Sequence, residues 1–295
     1  MAGCGAGGGA GGGVSAAPVR TRFAPSPTGP LHLGHAYAAI VAHDAARAAG
    51  GAFLLRWEDI DRARSRPEWE RAAEADLLWL GLRWDEPPLR QSARLPLYRA
   101  ALSRLWDRGL LYPCTCARRD ILAAASAPQE GAPLVGPDGV VYPGTCRGRP
   151  RTGPLPDGVA LRLDMGRALE EAPPLRWEEE GAGTRTLDPA ALLRGAGDVV
   201  LARRDFGTSY HLAVVVDDAA SGVTLVTRGE DLREATPVHV LLQHLLGLPV
   251  PRYLHHRLIR DATGRRLAKR EDAEAIARYR EAGATPADIR RMVGA

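Results

Sequence analysis

The pattern of apolar and polar positions predicts alternating strands and helices near the start of the chain. The segment VRTRFAPS, from Val19, is typical of a short strand that runs into a Pro/Gly-rich turn. HAYAAIVAHDAARAAGG has the periodicity and alanine content of a helix that stops at Gly50 and Gly51, and AFLLRWED is typical of a second strand. Strand, glycine-containing loop, helix and strand in this order predict the βαβ unit of an α/β Rossmann-type, doubly wound parallel sheet.

Beyond this unit, the pattern predicts helices, an insertion and a return to the sheet. Two amphipathic stretches predict helices within residues 67–111. Residues 112–154 are rich in Gly and Pro, and we interpret them as an insertion held by something other than a hydrophobic core. After a polar strand-and-loop region to about Gly197, residues 198–232 carry strand-like apolar runs that we expect to complete the sheet, and residues 235–248 look helical.

Composition is consistent with one catalytic domain interrupted by this insertion. The 295 residues are 45% hydrophobic and 25% charged, which excludes global disorder and a fibrous repeat. No apolar run approaches the roughly 18 residues of a membrane span, and the N-terminus lacks the regions of a secretory signal, so we expect a cytoplasmic protein. The predicted parts are a disordered Gly-rich tail (1–18), two catalytic halves (19–111 and 155–295) and the insertion (112–154).

The charge balance permits a polyanionic partner without demonstrating one. The chain has 39 Lys+Arg against 35 Asp+Glu, a net charge of +4. Lys269 is the only lysine among these cations. In a chain this rich in Ala, Gly and Arg, a lone lysine indicates a position that needs a compact ammonium instead of a planar guanidinium.

A first candidate site lies at the predicted strand-to-helix turn, in the words RFAPSPTGPLHLGH. This turn places His32, Gly34 and His35 at a helix N-terminus, whose free N–H groups and partial positive charge suit phosphates. Gly34 would let the backbone approach a nucleotide closely. Because two histidines at a helix start are more often incidental capping groups, the prediction depends on their position at the first βα turn.

Two further motifs carry charges that suit an amino acid and a nucleotide. Glu58 follows the second strand, at the edge where parallel sheets bind ligands, and could take an ammonium group; a solvated cluster capping the next helix is the alternative. Lys269 belongs to the basic segment GRRLAKR, which could close over a triphosphate and neutralise a leaving pyrophosphate. An ordinary basic surface segment is the alternative there.

Three of the four cysteines fall in the predicted insertion. Cys114, Cys116 and Cys146 are too few for a disulfide scaffold in a chain of this size and favour a metal site in a reducing compartment. Structural zinc usually takes four Cys or His ligands. Plain buried cysteines are the alternative.

Together these motifs resemble the class I aminoacyl-tRNA synthetases. HLGH resembles the HIGH signature and RRLAK the KMSKS loop, and the words RFAPSPTGPLHLGH, WEDIDRAR, YHLAVVVDD and TRGEDL are similar to the glutamyl/glutaminyl branch. Cys114-Thr-Cys116, the later Tyr142-x-x-x-Cys146 and the short C-terminal segment resemble the glutamyl-Q tRNA(Asp) synthetases, truncated paralogues of glutamyl-tRNA synthetase. The resemblance spans roughly residues 20 to 270.

The resemblance implies roles for residues at matching positions. The implied glutamate site comprises Arg22, Phe23, Ala24, Pro25, Ser26, Glu58, Tyr210 and Arg228, with Glu58 on the α-ammonium. The implied ATP site, with Mg²⁺, comprises His32, Gly34, His35 and Lys269, of which both histidines and the lysine are catalytic. The implied ligands of one structural Zn²⁺ are Cys114, Cys116, Tyr142 and Cys146, and Tyr142 rests on the resemblance alone.

The activity implied by the resemblance is an RNA modification. Glutamate is activated with ATP as glutamyl-adenylate, without tRNA, and transferred to the queuosine base at the wobble position of tRNA(Asp). The 25 residues after Arg270 are too few for an anticodon-binding domain of even ~50 residues, and no heptad pattern demands a dimer, so we expect a monomer without such a domain.

Two alternatives stay open, and one departure from the family pattern bears on the second of them. The loop has Arg266 and Ala268 where the family commonly has a lysine and a serine. The alternatives are a minimal glutamyl-tRNA synthetase that charges a tRNA 3′ end and an inactive synthetase-like module that binds RNA.

Overall fold

The computed structural model describes residues 18–125, 135–137, 139–260 and 274–295. Most of the predicted tail and the whole KMSKS-like loop, with Lys269, lie outside the described residues. No described helix is both long and apolar enough to cross a lipid bilayer.

The first part of the chain forms the predicted βαβ unit. Its elements are β1 (Arg20–Phe23), α1 (Leu33–Ala48), β2 (Ala52–Trp57), α2 (Pro67–Trp79), β3 (Leu89–Arg90) and α3 (Leu95–Asp107). Strands β1 and β2 are parallel, with Arg22 opposite Leu54, and β3 continues the parallel order beside β2. Helix α1 is followed by Gly50 at φ +61°, a left-handed conformation that glycine adopts without strain. The predicted helices between 67 and 111 are confirmed as α2 and α3.

The middle of the chain contains short elements. They are β4 (Leu111–Cys114), α4 (Arg118–Ala125), β5 (Val135–Gly136), β6 (Gly139–Val140), β7 (Ala160–Leu163), α5 (Met165–Glu170), β8 (Arg176–Glu179), β9 (Gly183–Thr186) and α6 (Pro189–Gly195). Helices α5 and α6 interrupt a region for which the sequence predicted only strands and loops. Both begin at an aspartate, Asp164 and Asp188, whose carboxylate accepts backbone N–H groups of the first turn.

The last part returns to the sheet beside β1. Its elements are β10 (Val200–Ala202), α7 (Tyr210–Ala220), β11 (Leu225–Gly229), α8 (Thr236–Leu246), β12 (Arg252–His256), α9 (Ile276–Glu281) and α10 (Pro286–Val293). Strand β11 is parallel to β12 and meets β1 where the Thr224 N–H donates to the Arg20 carbonyl at 3.0 Å. The described residues therefore form a mixed α/β fold with parallel sheets, and the predicted helix at 235–248 is confirmed as α8.

One predicted strand is a helix. The sequence pattern predicts that YHLAVVVDD belongs to the returning sheet, but Tyr210–Ala220 is α7. The helix packs on α3 and α8, and Val214, Val215 and Val216 are all buried, so no polar stripe marks the 3.6-residue period. Because apolar residues surround the helix and the valines are β-branched, the sequence pattern favours a strand at this place.

Candidate active site

A cleft of about 630 Å³ opens at the carboxyl ends of β1, β2, β11 and β12. In open α/β sheets this edge is where ligands bind. The cleft is lined by all of the predicted glutamate and ATP residues that the structure describes, namely Arg22, Phe23, Ala24, Pro25, Ser26, His32, Gly34, His35, Glu58, Tyr210 and Arg228. Their roles stay predictions, and Lys269 cannot be located relative to them because it lies outside the described ranges.

The two histidines of HLGH cap helix α1. The Gly34 N–H donates to Nδ1 of His32 at 3.0 Å, and the His32 N–H donates to Nδ1 of His35 at 3.2 Å. The two rings lie with centroids 3.8 Å apart. Each Nδ1 therefore accepts a backbone proton, so Nε2 of each ring carries the hydrogen in the neutral form and can donate elsewhere. The capping interpretation and the phosphate-binding interpretation are thus compatible for this pair.

Gly34 is required by the position of the His32 ring. A Cβ added at Gly34 would lie 2.9 Å from Cε1 and 3.1 Å from Nδ1 of His32. Side chains do not approach one another this closely, so any other residue would displace the imidazole from the helix start. The glycine therefore allows the His32 ring to occupy its position in the cleft.

Two buried arginines, the buried carboxylate of Asp218 and the half-buried carboxylate of Glu58 form a network at the floor of the cleft. Asp218 of α7 accepts from Nε of Arg22 at 3.0 Å and from Nη1 of Arg56 at 2.5 Å. Nη2 of Arg56 donates to Glu58 at 3.1 Å, and Nη1 of Arg22 donates to the Thr227 carbonyl at 2.9 Å. This network joins β1, β2, α7 and β11, and it holds Glu58 at the cleft wall.

The pKa values of the two carboxyl groups are shifted in opposite directions. Burial alone would raise the pKa of Asp218, but the charges of Arg22 and Arg56 hold that pKa below its ordinary value. Burial raises the pKa of Glu58, and Arg56 only partly offsets this. A cation placed beside Glu58 would favour its ionised form, so the site is suited to an ammonium group.

Arg228, near the end of β11, also lines the cleft. Its guanidinium donates to Nδ1 of His239 at 2.9 Å, to Nε2 of His255 at 3.2 Å and to Oγ1 of Thr236 at 2.6 Å. The sequence singled out none of these three partners. His255 lies within β12 and His239 on the apolar helix α8, so neither position carries a local signal for its contact with Arg228.

Asp217 is a second carboxylate that the sequence pattern did not reveal. It is fully buried and accepts from Nε2 of Gln91 at 2.9 Å, Nε of Arg94 at 2.7 Å and the Tyr98 hydroxyl at 2.7 Å. The two neighbouring aspartates of AVVVDD thus have different structural roles. Asp217 ties α7 to α3, whereas Asp218 ties α7 to the floor of the cleft.

The predicted metal ligands come together away from the cleft. The Sγ atoms of Cys114, Cys116 and Cys146 all lie within 4.8 Å of one another, and those of Cys116 and Cys146 are 3.5 Å apart. The Tyr142 hydroxyl lies 3.5 Å from the Cys114 sulfur and 3.4 Å from the Cys116 sulfur. Zn–S bonds of about 2.3 Å in a tetrahedron place sulfur atoms about 3.8 Å apart, so this donor set fits a zinc ion.

The electrostatics of the cluster favour at least one thiolate. Burial opposes ionisation, but the hydrogen bond from Tyr142 and the charge of Arg149 are among the effects that lower the pKa of Cys146 to about 6. Thiolates are the form of cysteine that binds metals. The cluster therefore suits zinc in its chemistry as well as in its geometry.

The cluster is tied to the strand that leads into the active site. The Arg162 guanidinium lies 3.8 Å from the centroid of the Tyr142 ring and donates to the Asp198 carbonyl at 2.8 Å. The buried Asp198 carboxylate accepts from Nε of Arg147 at 2.8 Å and from the Tyr112 hydroxyl at 2.6 Å. Asp198 lies two residues before β10, so charged hydrogen bonds anchor the cluster to the rest of the α/β fold.

Comparison with known proteins defines the class. A family model described as "tRNA synthetases class I (E and Q), catalytic domain" matches residues 18–131 and 177–294, well over half of the chain. The chain therefore belongs to the class I glutamyl- and glutaminyl-tRNA synthetase family, whose members are ATP-dependent ligases that use ATP with Mg²⁺.

Two individual relatives within this family carry the same name. The chain is 66% identical over 279 residues to the glutamyl-Q tRNA(Asp) synthetase of Rhodobacter capsulatus, covering 93% of this chain and 99% of that protein. It is 46% identical to the protein of the same name from Symbiobacterium thermophilum, over 91% of this chain and 83% of that protein. The resemblance predicted from the motifs is confirmed by these matches.

A solved structure supports the fold. A glutamate tRNA ligase from Elizabethkingia meningosepticum, in complex with its amino acid, matches 94% of this chain with a TM-score of 0.72 and 27% identity. The chain spans 60% of the length of that ligase. The catalytic fold of class I tRNA synthetases, predicted from the sequence, is therefore confirmed.

Proposed function

We propose that this protein activates glutamate with ATP as glutamyl-adenylate, without requiring tRNA, and transfers it to the queuosine base at the wobble position of tRNA(Asp). The observation that carries the proposal is the 66% identity to a glutamyl-Q tRNA(Asp) synthetase over 99% of that protein's length. At this level of identity and coverage the whole relative, and not one domain of it, is matched.

The residues that line the cleft support this proposal. In the proposed arrangement Glu58 takes the α-ammonium of glutamate, and Tyr210 closes the same pocket beside Arg22 to Ser26. The α-carboxylate must stay available to attack ATP, so Arg228 grips the side-chain carboxylate with the N–H groups that its protein partners leave. The site thereby separates the two carboxylates of the substrate.

Adenylation is an in-line displacement at phosphorus. A glutamate α-carboxylate oxygen bonds to the α-phosphorus of ATP while the bond to the β-phosphate oxygen breaks, and pyrophosphate leaves with the electron pair. His32 and His35 donate from Nε2 to the oxygens of the pentavalent phosphorus, and Lys269 neutralises the departing pyrophosphate. Mg²⁺ would accompany the ATP. A queuosine hydroxyl then attacks the acyl carbon, forming an ester and releasing AMP.

A second candidate, a minimal glutamyl-tRNA synthetase, is favoured by one observation. The solved glutamate tRNA ligase shares the fold over 94% of this chain, so the same cleft would serve aminoacylation of a tRNA 3′ end. The inactive module is disfavoured because every described residue of the predicted glutamate and ATP sites lines one cleft.

Transfer of labelled glutamate separates these candidates. We expect label, in the presence of ATP, on tRNA(Asp) that contains queuosine and none on matched tRNA(Asp) that lacks it, and nuclease mapping should locate the label in the anticodon loop. Label at the 3′ end would contradict the proposal in favour of the minimal synthetase. No label on either RNA, together with no adenylate, would support the inactive module.

We also propose that Cys114, Cys116, Tyr142 and Cys146 hold one structural Zn²⁺. The ion would cross-link two parts of the predicted insertion, because Cys116 and Cys146 lie 30 positions apart in the chain. We expect about one zinc per chain in the purified protein and less than about a tenth of that in Cys146→Ser, measured by atomic emission. Cys4→Ser is the matched control, because Cys4 lies outside the predicted ligand set. Equal zinc in Cys146→Ser and the unaltered protein would contradict the assignment.

The finer architecture belongs to the same proposal. We infer one Rossmann-type, doubly wound catalytic domain formed by residues 19–111 and 155–295, interrupted by the metal-bearing insertion at 112–154. The parallel strands that surround the cleft and the separate cysteine cluster support this division. The monomeric state stays a prediction.

A further inference from the structure

Arg228 is held, on the side away from the cleft, by three neutral acceptors. His239, His255 and Thr236 accept from its three nitrogens, and none of the three lines the cleft. Arg228 itself is only 6% exposed and His239 only 2%. The guanidinium is therefore fixed in plane and direction by groups that the substrate does not touch.

The hydrogen-bond directions fix the tautomer of each ring. A guanidinium has only donors, so Nδ1 of His239 and Nε2 of His255 must each present a lone pair to Arg228. The proton of neutral His239 is then on Nε2, which donates to Nδ1 of His211 at 3.0 Å. The proton of neutral His255 is on Nδ1, which donates to Glu179 at 3.1 Å. Protonation of either ring would replace the lone pair with a second donor facing a cation.

Burial and charge keep both rings neutral. Burial and the charge of Arg228 lower the pKa of His239 well below its ordinary value. The same two causes lower the pKa of His255 to about 4, with Glu179 acting in the opposite direction. The geometry and the electrostatics thus agree that neither imidazole carries charge at neutral pH.

The two neighbouring arginines at the floor of the cleft are paired with carboxylates. Arg22 and Arg56 are both neutralised by Asp218, and Arg56 also by Glu58. Among residues 18–125, 135–137, 139–260 and 274–295, no carboxylate forms an ion pair with Arg228. Glu179 lies beyond the His255 ring and is itself paired with Arg233.

We propose that His239 and His255 are positioning residues that set amino-acid specificity, because as neutral acceptors they aim Arg228 while leaving its charge for the side-chain carboxylate of glutamate. The inference rests on the proposed function, since glutamate is its ligand. A neutral glutamine amide would leave the buried cation uncompensated, whereas a glutamate carboxylate compensates it. Discrimination thus depends on two residues that do not touch the substrate.

The test places a neutral acceptor and a negatively charged acceptor at the same position. His239→Asn and His239→Asp have the same shape, and both keep an oxygen near the position of Nδ1, but only aspartate brings a negative charge. Binding of L-glutamate and L-glutamine to the full chain is measured by calorimetry. We expect His239→Asn to bind glutamate within about fivefold of the unaltered protein, because it loses only the neutral hydrogen bond to His211.

For His239→Asp we expect the Kd for glutamate to rise about 30-fold or more, because the new carboxylate neutralises Arg228. The Kd for glutamine should change little, so the preference for glutamate should fall by the same factor. A merely structural role would weaken both ligands together. If His239→Asp does not fold, as judged by its thermal unfolding, His255→Glu against His255→Gln makes the same comparison at the second acceptor.

The outcomes separate this inference from the proposed function. Equal glutamate affinity in the Asn and Asp variants would overturn the inference alone. Glutamate binding without transfer to queuosine-containing tRNA would overturn the function alone and leave the inference standing. An unaltered protein that bound no glutamate would overturn both.

Discussion

Asp218→Asn is expected to lower the free energy of unfolding by about 3–5 kcal/mol, because it leaves the buried guanidinium of Arg22 without its carboxylate and Arg56 with only Glu58. For a chain of this size the melting temperature should fall by roughly 6–20 °C. Calorimetric or circular-dichroism melting measures the change. The asparagine can still accept a hydrogen bond, so the loss reports charge and not shape.

The surface pair of Arg99 and Asp157 provides the matched control. Both side chains are largely exposed, so Asp157→Asn should change the melting temperature by no more than about 3 °C. The folded-state pKa of Asp218 lies below its unfolded value, so its stabilising effect is present above the unfolded pKa of about 4 and is lost as the pH falls through the folded pKa. The difference between Asp218→Asn and the unaltered protein should therefore shrink in acid. A constant difference down to pH 2 would contradict the ion-pair account.

Arg228→Gln is expected to reduce kcat/KM for glutamate about 30- to 3,000-fold in glutamate-dependent ATP–pyrophosphate exchange. The physical reason is that the substrate carboxylate would enter a buried site without its cation, a loss of about 2–5 kcal/mol at roughly 1.4 kcal/mol per factor of ten. The loss should fall mainly on KM for glutamate, and KM for ATP should stay within about threefold, since Arg228 contacts the amino acid in the proposed arrangement.

Arg194→Gln, on the exposed face of α6, is the matched loss of one guanidinium. It should leave both KM values unchanged within error. An equal rise in KM for ATP and for glutamate in Arg228→Gln would indicate a general disturbance of the cleft and would contradict the assigned role of Arg228.

The parts of the fold that the sequence predicted are those with a local signal. The βαβ unit around α1 has glycines at the helix end and a regular apolar period, and helices α2 and α3 have polar faces that expose the 3.6-residue repeat. The sequence motifs predicted the candidate site, because HLGH and Glu58 occupy the edge where parallel sheets bind their ligands.

The parts that the sequence could not predict depend on contacts between distant residues. Helix α7 is buried on every side, so its valines carried no helical period. The partners of Arg228 lie 8, 11 and 27 positions further along the chain and become neighbours only when α8 and β12 pack on β11. A histidine that accepts from an arginine has no sequence signature, because its tautomer is decided by its partner.

Residues that bond to one another at the floor of the cleft are synthesised far apart in time. Arg22 bonds to Asp218 and to the Thr227 carbonyl, which lie 196 and 205 positions later in the chain. At translation rates of about 5–20 residues/s, Arg22 waits roughly 10–40 s on the ribosome before these partners exist. The Arg22 guanidinium is hydrated during that time, and its hydration opposes burial of the first strand. We therefore expect the ligand-binding edge to be among the last parts of the molecule to form.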